Sequence, residues 1–224
     1  VIHLTLIPYL KAAGELKTKP TQNSVKTLLE HGVQPDVVVG RTEYPLNEEI
    51  RKKIALFCNL PFEAVIQSID AYSIYDVPML MQEEKLDTVV LNRLGLPDST
   101  IPDLKSWNSF LSRLKKASKQ VSIALVGKYI ELKDAYKSIH EALIHAGATQ
   151  DCKVNVLWLH SESLEGMSPT EFKSQFRGIQ GVLVAPGFGD RGINGKIRAI
   201  QYAREQHIPF LGVCLGMQCA VVEF

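Results

Sequence analysis

The residues with the clearest chemical potential are in Pro209-Phe210-Leu211-Gly212-Val213-Cys214-Leu215-Gly216-Met217-Gln218. A β-type run ends at Gly212 and a helical run begins near Leu215, so Cys214 falls at the sharp turn between them. That is the layout of a nucleophile elbow with cysteine in place of serine. The flanking glycines permit the tight turn and close packing. The turn exposes the sulfur, the following helix N-terminus favours a thiolate, and the Leu215 N–H can donate to an oxyanion. The bland alternative is a buried cysteine in an ordinary strand-to-helix turn. Cys219, further along the helix, is expected in the core. A second element supports the site. The strand Gly181 to Ala185 opens into Pro186-Gly187-Phe188-Gly189-Asp190-Arg191-Gly192, and glycine-rich loops after parallel strands line the crevice at the carboxyl edge of a sheet. Gly187 could bring an N–H to the same oxyanion; alone, the loop also reads as a plain surface turn.

A different chemistry is suggested by Gly14-Glu15-Leu16-Lys17-Thr18-Lys19-Pro20-Thr21-Gln22. Its lysines and threonines sit at the predicted start of a helix. Backbone N–H groups, the helix dipole and two ammonium groups make a polyanion site, or else simply a solvated basic helix start. The Walker A frame is absent here. Gly127-Lys128-Tyr129 is no phosphate loop either, since it lacks the leading glycine and carries Tyr for Ser/Thr.

Other chemistries are disfavoured. The six histidines are scattered. His140 and His145 fall on different faces of a helix, so a shared metal is not expected. The four cysteines, Cys58, Cys152, Cys214 and Cys219, are irregularly spaced without a Cys-x-x-Cys pair. This argues against a disulfide framework or zinc ribbon and for a reducing, cytoplasmic compartment. With 224 residues, net charge +1, 46% hydrophobic and 22% charged residues, the chain is globular. Disorder, collagen and coiled coil fit poorly, and no basic excess points to nucleic acid. No apolar run approaches the ~20 residues of a membrane helix. The sequence opens Val1-Ile2-His3-Leu4 without an initiator Met or signal peptide and stops at Val221-Val222-Glu223-Phe224 within a starting helix. Both ends read as cut, as in a piece of something longer.

The elements that must position these residues alternate in type. Strands are expected at Ile2 to Ile7, Val37 to Val39 and Val65 to Ile69. Between them, Pro20 to His31 reads as a helix burying Val25, Leu28 and Leu29 and closed by Gly32. Asn47 caps a second helix burying Ile50, Ile54 and Phe57. Tyr75 to Leu94 is helical, broken near Lys85. A proline loop, Pro97 to Pro102, precedes a helix Leu104 to Lys116 with Trp107, Phe110, Leu111 and Leu114 on one side, then polar Lys115 to Gln120. The rhythm resumes with strands Ser122 to Val126, Val154 to Leu159, Gly181 to Ala185 and Phe210 to Val213. Helices are expected at Asp134 to Ala146, Pro169 to Phe176 and Gly195 to Gln206. The pattern predicts an α/β protein with parallel sheets and helices on both faces, in two consecutive units. The expected divisions are 1–96, a linker with a helix at 97–120, and 121–224.

Gly212 to Gln218 closely resembles the nucleophile motif of the class I glutamine amidotransferases, and the Gly187-Phe188-Gly189 loop resembles their oxyanion strand. The resemblance implies that Cys214 attacks the glutamine carboxamide, that Gly187 and Leu215 supply oxyanion amides, and that Gly216, Met217 and Gln218 border the glutamine. Pro186 stands where many members have glycine. Proline has no N–H, so the donor is Gly187. The family's base His and its Glu lie downstream of the nucleophile, and none of the histidines here matches the base. His207 is expected to line the preceding loop.

The chain as a whole resembles the CTP synthase family. The likeness includes His3 to Tyr9, Lys17 to Gln22, Lys53 to Cys58, Val126 to Leu132, Asp134 to Ser138 and the elbow. It implies a P-loop-like amidoligase part and a flavodoxin-like glutaminase part. The implied reaction is ATP- and Mg²⁺-dependent amination of UTP to CTP with ammonia from glutamine, with GTP as activator. Lys17, Thr18, Lys19, Pro20, Thr21, Gln22 and Lys53 would bind the triphosphate of UTP or of inhibitory CTP. Arg41, Ile69, Asp70 and Ala71 would lie near the ATP adenine. The implied assembly is a cytoplasmic homotetramer, with the phosphate loop and Mg²⁺ carboxylates upstream of Val1. The isolated chain is then expected to be inactive. Arg191 and the loop from Lys128 to Asp134 receive no role. Competing readings are a non-catalytic UTP/CTP-binding or assembly module and a different class I amidotransferase.

Overall fold

A computed structural model describes residues 1–98 and 101–224, apart from the Lys133 side chain. Ser99 and Thr100, the middle of the expected proline loop, lie outside the described residues. The chain divides into two compact units, Val1–Asp103 and Leu104–Phe224.

The first unit begins with strand β1 (Ile2–Leu6), a hairpin of β2 (Tyr9–Leu10) and β3 (Glu15–Leu16), helix α1 (Lys19–Glu30) and strand β4 (Val37–Thr42). Helix α2 (Glu48–Cys58), strand β5 (Val65–Ile69) and helices α3 (Val77–Glu83) and α4 (Leu86–Leu94) follow. The sheet is parallel in the order β1-β4-β5. Successive β4 side chains face opposite ways, as a strand requires. Val38 joins Ile7, Val25 of α1 and Ile54 of α2 on one face. Val37 and Val39 join Ile66 on the other, against Met81 of α3 and Leu86 and Val89 of α4. Both faces are covered there, which is why Val37, Val38 and Val39 of β4 are apolar without alternation. Asn47 caps α2, accepting from the Ile50 N–H at 2.8 Å. The expected break near Lys85 is real: its φ is 59°, separating α3 from α4.

Two expected core residues are outside. Leu29 is 40% and Phe57 61% exposed. Each lies on the flank of its helix, and the buried positions are Thr21 and Val25 in α1 and Ile54, Ala55 and Cys58 in α2.

The second unit comprises α5 (Lys105–Lys116), β6 (Lys119–Gly127), α6 (Lys137–Thr149), β7 (Cys152–His160), α7 (Ser161–Glu165) and α8 (Pro169–Gln175). It continues through β8 (Gly181–Val184), α9 (Ile193–Glu205), β9 (Phe210–Gly212) and α10 (Leu215–Glu223). The parallel order is β7-β6-β8-β9. Ala124, Val126, Val182 and Val184 pack with α9, and Leu125 and Leu183 pack on the opposite face with Ile139 and Leu143 of α6. Strand β6 starts at Lys119 rather than Ser122, because Lys119 and Gln120 pair with Cys152 and Lys153. The ladder is main-chain chemistry and needs no apolar side chain. Among the described residues, no helix is long and apolar enough to cross a membrane.

Candidate functional site

The elbow is formed as its residue types demand. Val213 donates its N–H to the Val184 carbonyl at 3.0 Å, which extends β9 beside β8. Cys214 then takes φ 52° and ψ −109°, outside the ordinary left-handed region, and opens α10. A non-glycine residue in such a conformation costs of order 1–3 kcal/mol and points to a functional constraint. A Cβ on Gly212 would meet the Gly216 carbonyl carbon and the Met217 nitrogen at 2.7 Å. One on Gly216 would lie 2.1 Å from the Val184 carbonyl oxygen. Only glycines fit these positions. Cys214 is exposed while Cys219 is 3% exposed, and burial pushes the Cys219 thiol up despite the opposing charge of Lys196.

The segments that carry the two expected oxyanion donors are neighbours. A Cβ on Gly187 would stand 3.5 Å from Leu215 Cδ2, so the loop after β8 lies against the first residue of α10. Gly216 is buried at the helix start; Met217 and Gln218 face outward. Gln218 donates its N–H to the Cys214 carbonyl at 3.1 Å. His207 is on the other side of β9, in the turn that precedes it. All four cysteines are free thiols.

Two lysines behind the loop were invisible to the motif reading as participants. Lys196 is fully buried and donates to the Ala185 carbonyl at 2.8 Å. Lys128 is 3% exposed and donates to the Phe188 and Gly189 carbonyls. Desolvation pushes the Lys196 ammonium below the usual lysine range; the nearby Cys219 thiol opposes that shift and Lys128 adds to it. The available sequence signal was a lysine directly after the apolar run 123–127 that ends β6, and another inside a helix's buried stripe.

The lysine run builds a separate cavity of about 750 Å³ in the first unit. Its lining includes Lys17, Thr18, Lys19 and Pro20 at the start of α1, Lys53 of α2 and Glu15 of β3. The hairpin sets up this corner, with the Lys17 N–H donating to the Pro8 carbonyl at 2.9 Å. Thr18 makes no side-chain cap, so the protein leaves first-turn N–H groups of α1 for other partners. Glu15 pairs with Lys17; that hydrogen bond and charge, helped by Lys53, hold its carboxyl below the usual range. Thr21 is not in the lining. It is fully buried, facing Thr5 Oγ1 at 3.1 Å and donating to the Leu6 carbonyl. Gln22 Nε2 donates to Thr18 Oγ1 at 3.0 Å.

Arg41, Ile69, Asp70 and Ala71 line a third feature together, a cavity of about 520 Å³. It lies at the carboxyl ends of β4 and β5, where open parallel sheets place their ligands. Arg41 Nε is 3.3 Å from Asp70 Oδ1. Among the described residues, no group of three or more His, Cys, Asp or Glu could hold a metal ion.

Residues 1–96 match the family described as CTP synthase N-terminus, and residues 131–224 match glutamine amidotransferase class-I. The CTP synthase of Flavobacterium psychrophilum is 63% identical over 100% of this chain and 41% of its own length. The chain belongs to the CTP synthase family. The CTP synthase of Methanocaldococcus jannaschii is 55% identical, again over 100% of this chain, with 42% of its length covered. The chain thus spans about two fifths of the curated CTP synthases it matches. Among solved structures, the glutaminase domain of Trypanosoma brucei CTPS with bound acivicin is 41% identical, with a TM-score of 0.43. That match covers 46% of this chain and 39% of the other. The CTP synthase N-terminus match contains the lysine cavity and Arg41, and the amidotransferase match contains the elbow.

Proposed function

We propose that the full-length protein makes CTP, aminating UTP at the expense of ATP with ammonia taken from glutamine. One observation carries the proposal: a tri-lysine cavity and a strained, exposed cysteine elbow occur on one chain of this family. In this reading, 1–96 belongs to the amidoligase domain, 97–120 is a linker with a helix, and 121–224 belongs to the glutaminase domain.

The Cys214 thiolate attacks the glutamine carboxamide carbon. The carbonyl oxygen becomes an oxyanion and receives the N–H groups of Leu215 and Gly187. Two preorganised donors at a developing charge are worth about 3–4 kcal/mol each in such sites. Collapse of the adduct breaks the C–N bond, the leaving nitrogen takes a proton, and ammonia departs. Water then hydrolyses the thioester to glutamate and returns the thiol.

In the amidoligase half, ATP phosphorylates the 4-oxygen of UTP, turning a poor leaving group into phosphate. Ammonia displaces it. Lys17, Lys19 and Lys53, with Thr18 and Pro20 around them and Gln22 behind as the hydrogen-bond partner of Thr18, receive the triphosphate of UTP or of CTP as inhibitor. Thr21 supports them from the core. Arg41, Ile69, Asp70 and Ala71 face the ATP adenine. Mg²⁺ would supply charge neutralisation on ATP when bound; the described residues include no cluster of three or more His, Cys, Asp or Glu to hold it. GTP as activator, a homotetramer and a cytoplasmic location complete the proposal.

The test is CTP formation from UTP, ATP–Mg²⁺ and either glutamine or ammonium by the full-length protein, followed by chromatography. CTP with both nitrogen sources supports the reading. Binding of UTP and CTP without turnover would favour a non-catalytic module, and amination of another acceptor would favour a different amidotransferase.

A further inference from the structure

Gly127-Lys128-Tyr129 has no task in the reaction so far, yet its lysine is among the most buried charges of the second unit. Lys128 follows β6 directly and is 3% exposed. Its main chain is fixed: the N–H groups of Lys128 and Tyr129 donate to Tyr136 Oη at 3.0 and 3.3 Å. Tyr136 is itself 2% exposed, and its ring fills the space a side chain at Gly127 would need, 2.7 Å from a Cβ there. From this anchored base the Lys128 ammonium donates to the carbonyls of Phe188 and Gly189. Lys196 reaches from α9 to the carbonyls of Ala185 at 2.8 Å and Pro186 at 3.5 Å. The carbonyls on either side of Gly187 are therefore turned onto two buried ammonium groups.

We infer that Lys128 is a positioning residue for glutamine hydrolysis, holding the 186–189 loop so that the Gly187 N–H faces the oxygen of the carbonyl whose carbon Cys214 attacks. The inference rests on the glutaminase reading of the elbow. The peptide unit is planar and trans, so fixing a carbonyl fixes the direction of the next N–H on its opposite side. With the Pro186 carbonyl on Lys196, the Gly187 N–H points away from that ammonium. Lys128 holds the other end of the loop, and a Cβ on Gly187 would lie 3.8 Å from its Cδ. Gly187 and Gly189 bring no side chains of their own to fix the path, and glycine has the most conformational freedom to lose. A buried ammonium must spend its donors on the protein. Here it spends them on this loop, which leaves Lys128 unavailable as a surface phosphate ligand.

The experiment uses the full-length protein with Lys128→Met and Lys128→Arg. Three rates are compared: glutamine hydrolysis, alkylation of Cys214 by iodoacetamide, and ammonium-dependent CTP formation. Misplacing one oxyanion donor lowers kcat for glutamine hydrolysis in Lys128→Met by about 10- to 100-fold. Alkylation displaces iodide at a saturated carbon and develops no oxyanion, so its rate holds, as does the ammonium-dependent rate. Lys128→Arg, which keeps charge and donors, recovers part of the loss. Unchanged hydrolysis overturns the inference. So does a parallel fall in alkylation, which would place the effect on the thiolate, or a fall in ammonium-dependent synthesis in both variants, which would make the role one of folding. If the unaltered protein hydrolyses no glutamine, the glutaminase reading fails first and the inference falls with it.

Discussion

Gly216→Ala concentrates the geometry of the elbow into one methyl group. The added Cβ would lie 2.1 Å from the Val184 carbonyl oxygen, 2.8 Å from its carbon and 3.1 Å from its Cβ. Carbon atoms rest about 3.5–4.0 Å apart, so the start of α10 must move from β8 by more than ~1 Å. The nearest atoms are main chain and cannot rotate aside. The Gly216 φ is not positive, so the effect is steric rather than conformational. Overpacking of this kind costs about 1–3 kcal/mol of stability. Moving the Leu215 N–H and the sulfur by ~1 Å costs about 100-fold in rate. The full-length variant is assayed for CTP formation with glutamine and with ammonium, alongside thermal unfolding. The glutamine-dependent rate is expected to collapse while the ammonium-dependent rate persists. Gly166→Ala is the control, since a Cβ there meets nothing within 4 Å and φ is −91°. Near-normal glutamine-dependent turnover in Gly216→Ala would refute the claim that close packing of α10 on β8 sets the site.

Charge removal in the lysine cavity should act on the nucleotide alone. Losing one ammonium–phosphate contact costs about 1.5–3 kcal/mol, so Lys17→Ala or Lys19→Ala raises KM for UTP by about 10- to 100-fold. Glutamine hydrolysis is unaffected; a change confined to ATP would count against the assignment. Arg51 grips Glu84 with two hydrogen bonds, at 2.6 and 2.9 Å, and the Gln67 N–H adds a third at 3.2 Å. Burial alone would raise the Glu84 carboxyl, but these partners outweigh it and hold it below 4.5. Its contribution is therefore present above 4.5 and lost as pH falls through the lowered value. Glu84→Gln should lose about 2 kcal/mol near neutrality, with variant and parent denaturation curves converging in acid. A gap independent of pH would dismiss the charge as the cause.

The parts of the site legible in the sequence were those where residue type is forced. Gly212 and Gly216 announce the elbow because a Cβ at either would collide with main chain, which marks the cysteine between them, and in the loop before Arg191 Gly189 takes a positive φ of 69°. The break at Lys85 also showed, since the helical pattern loses phase there. The β2–β3 hairpin did not, because strands of two residues have no periodicity to detect. It nonetheless positions Lys17. Leu29 and Phe57 misled because apolar type fixes only a preference, and each falls just off its helix's buried face. The anchoring by Lys128 was hidden for a topological reason. Strands β6 and β8 are neighbours in the sheet, so the residue after one meets the loop after the other. Nothing local to either segment states that adjacency. Thr21 looked like a ligand of the lysine run, but helical phase turns it toward Thr5.

The central claim is that Cys214 takes up the glutamine acyl group. The direct measurement is mass spectrometry of the full-length protein, acid-quenched during turnover with glutamine, UTP and ATP–Mg²⁺, then digested. The account predicts a glutamyl thioester on the peptide carrying Cys214. In Cys214→Ala the adduct and glutamine-dependent CTP formation should both be absent, while ammonium still yields CTP. An adduct on another residue, or glutamine-dependent CTP formation that survives in Cys214→Ala, would contradict it.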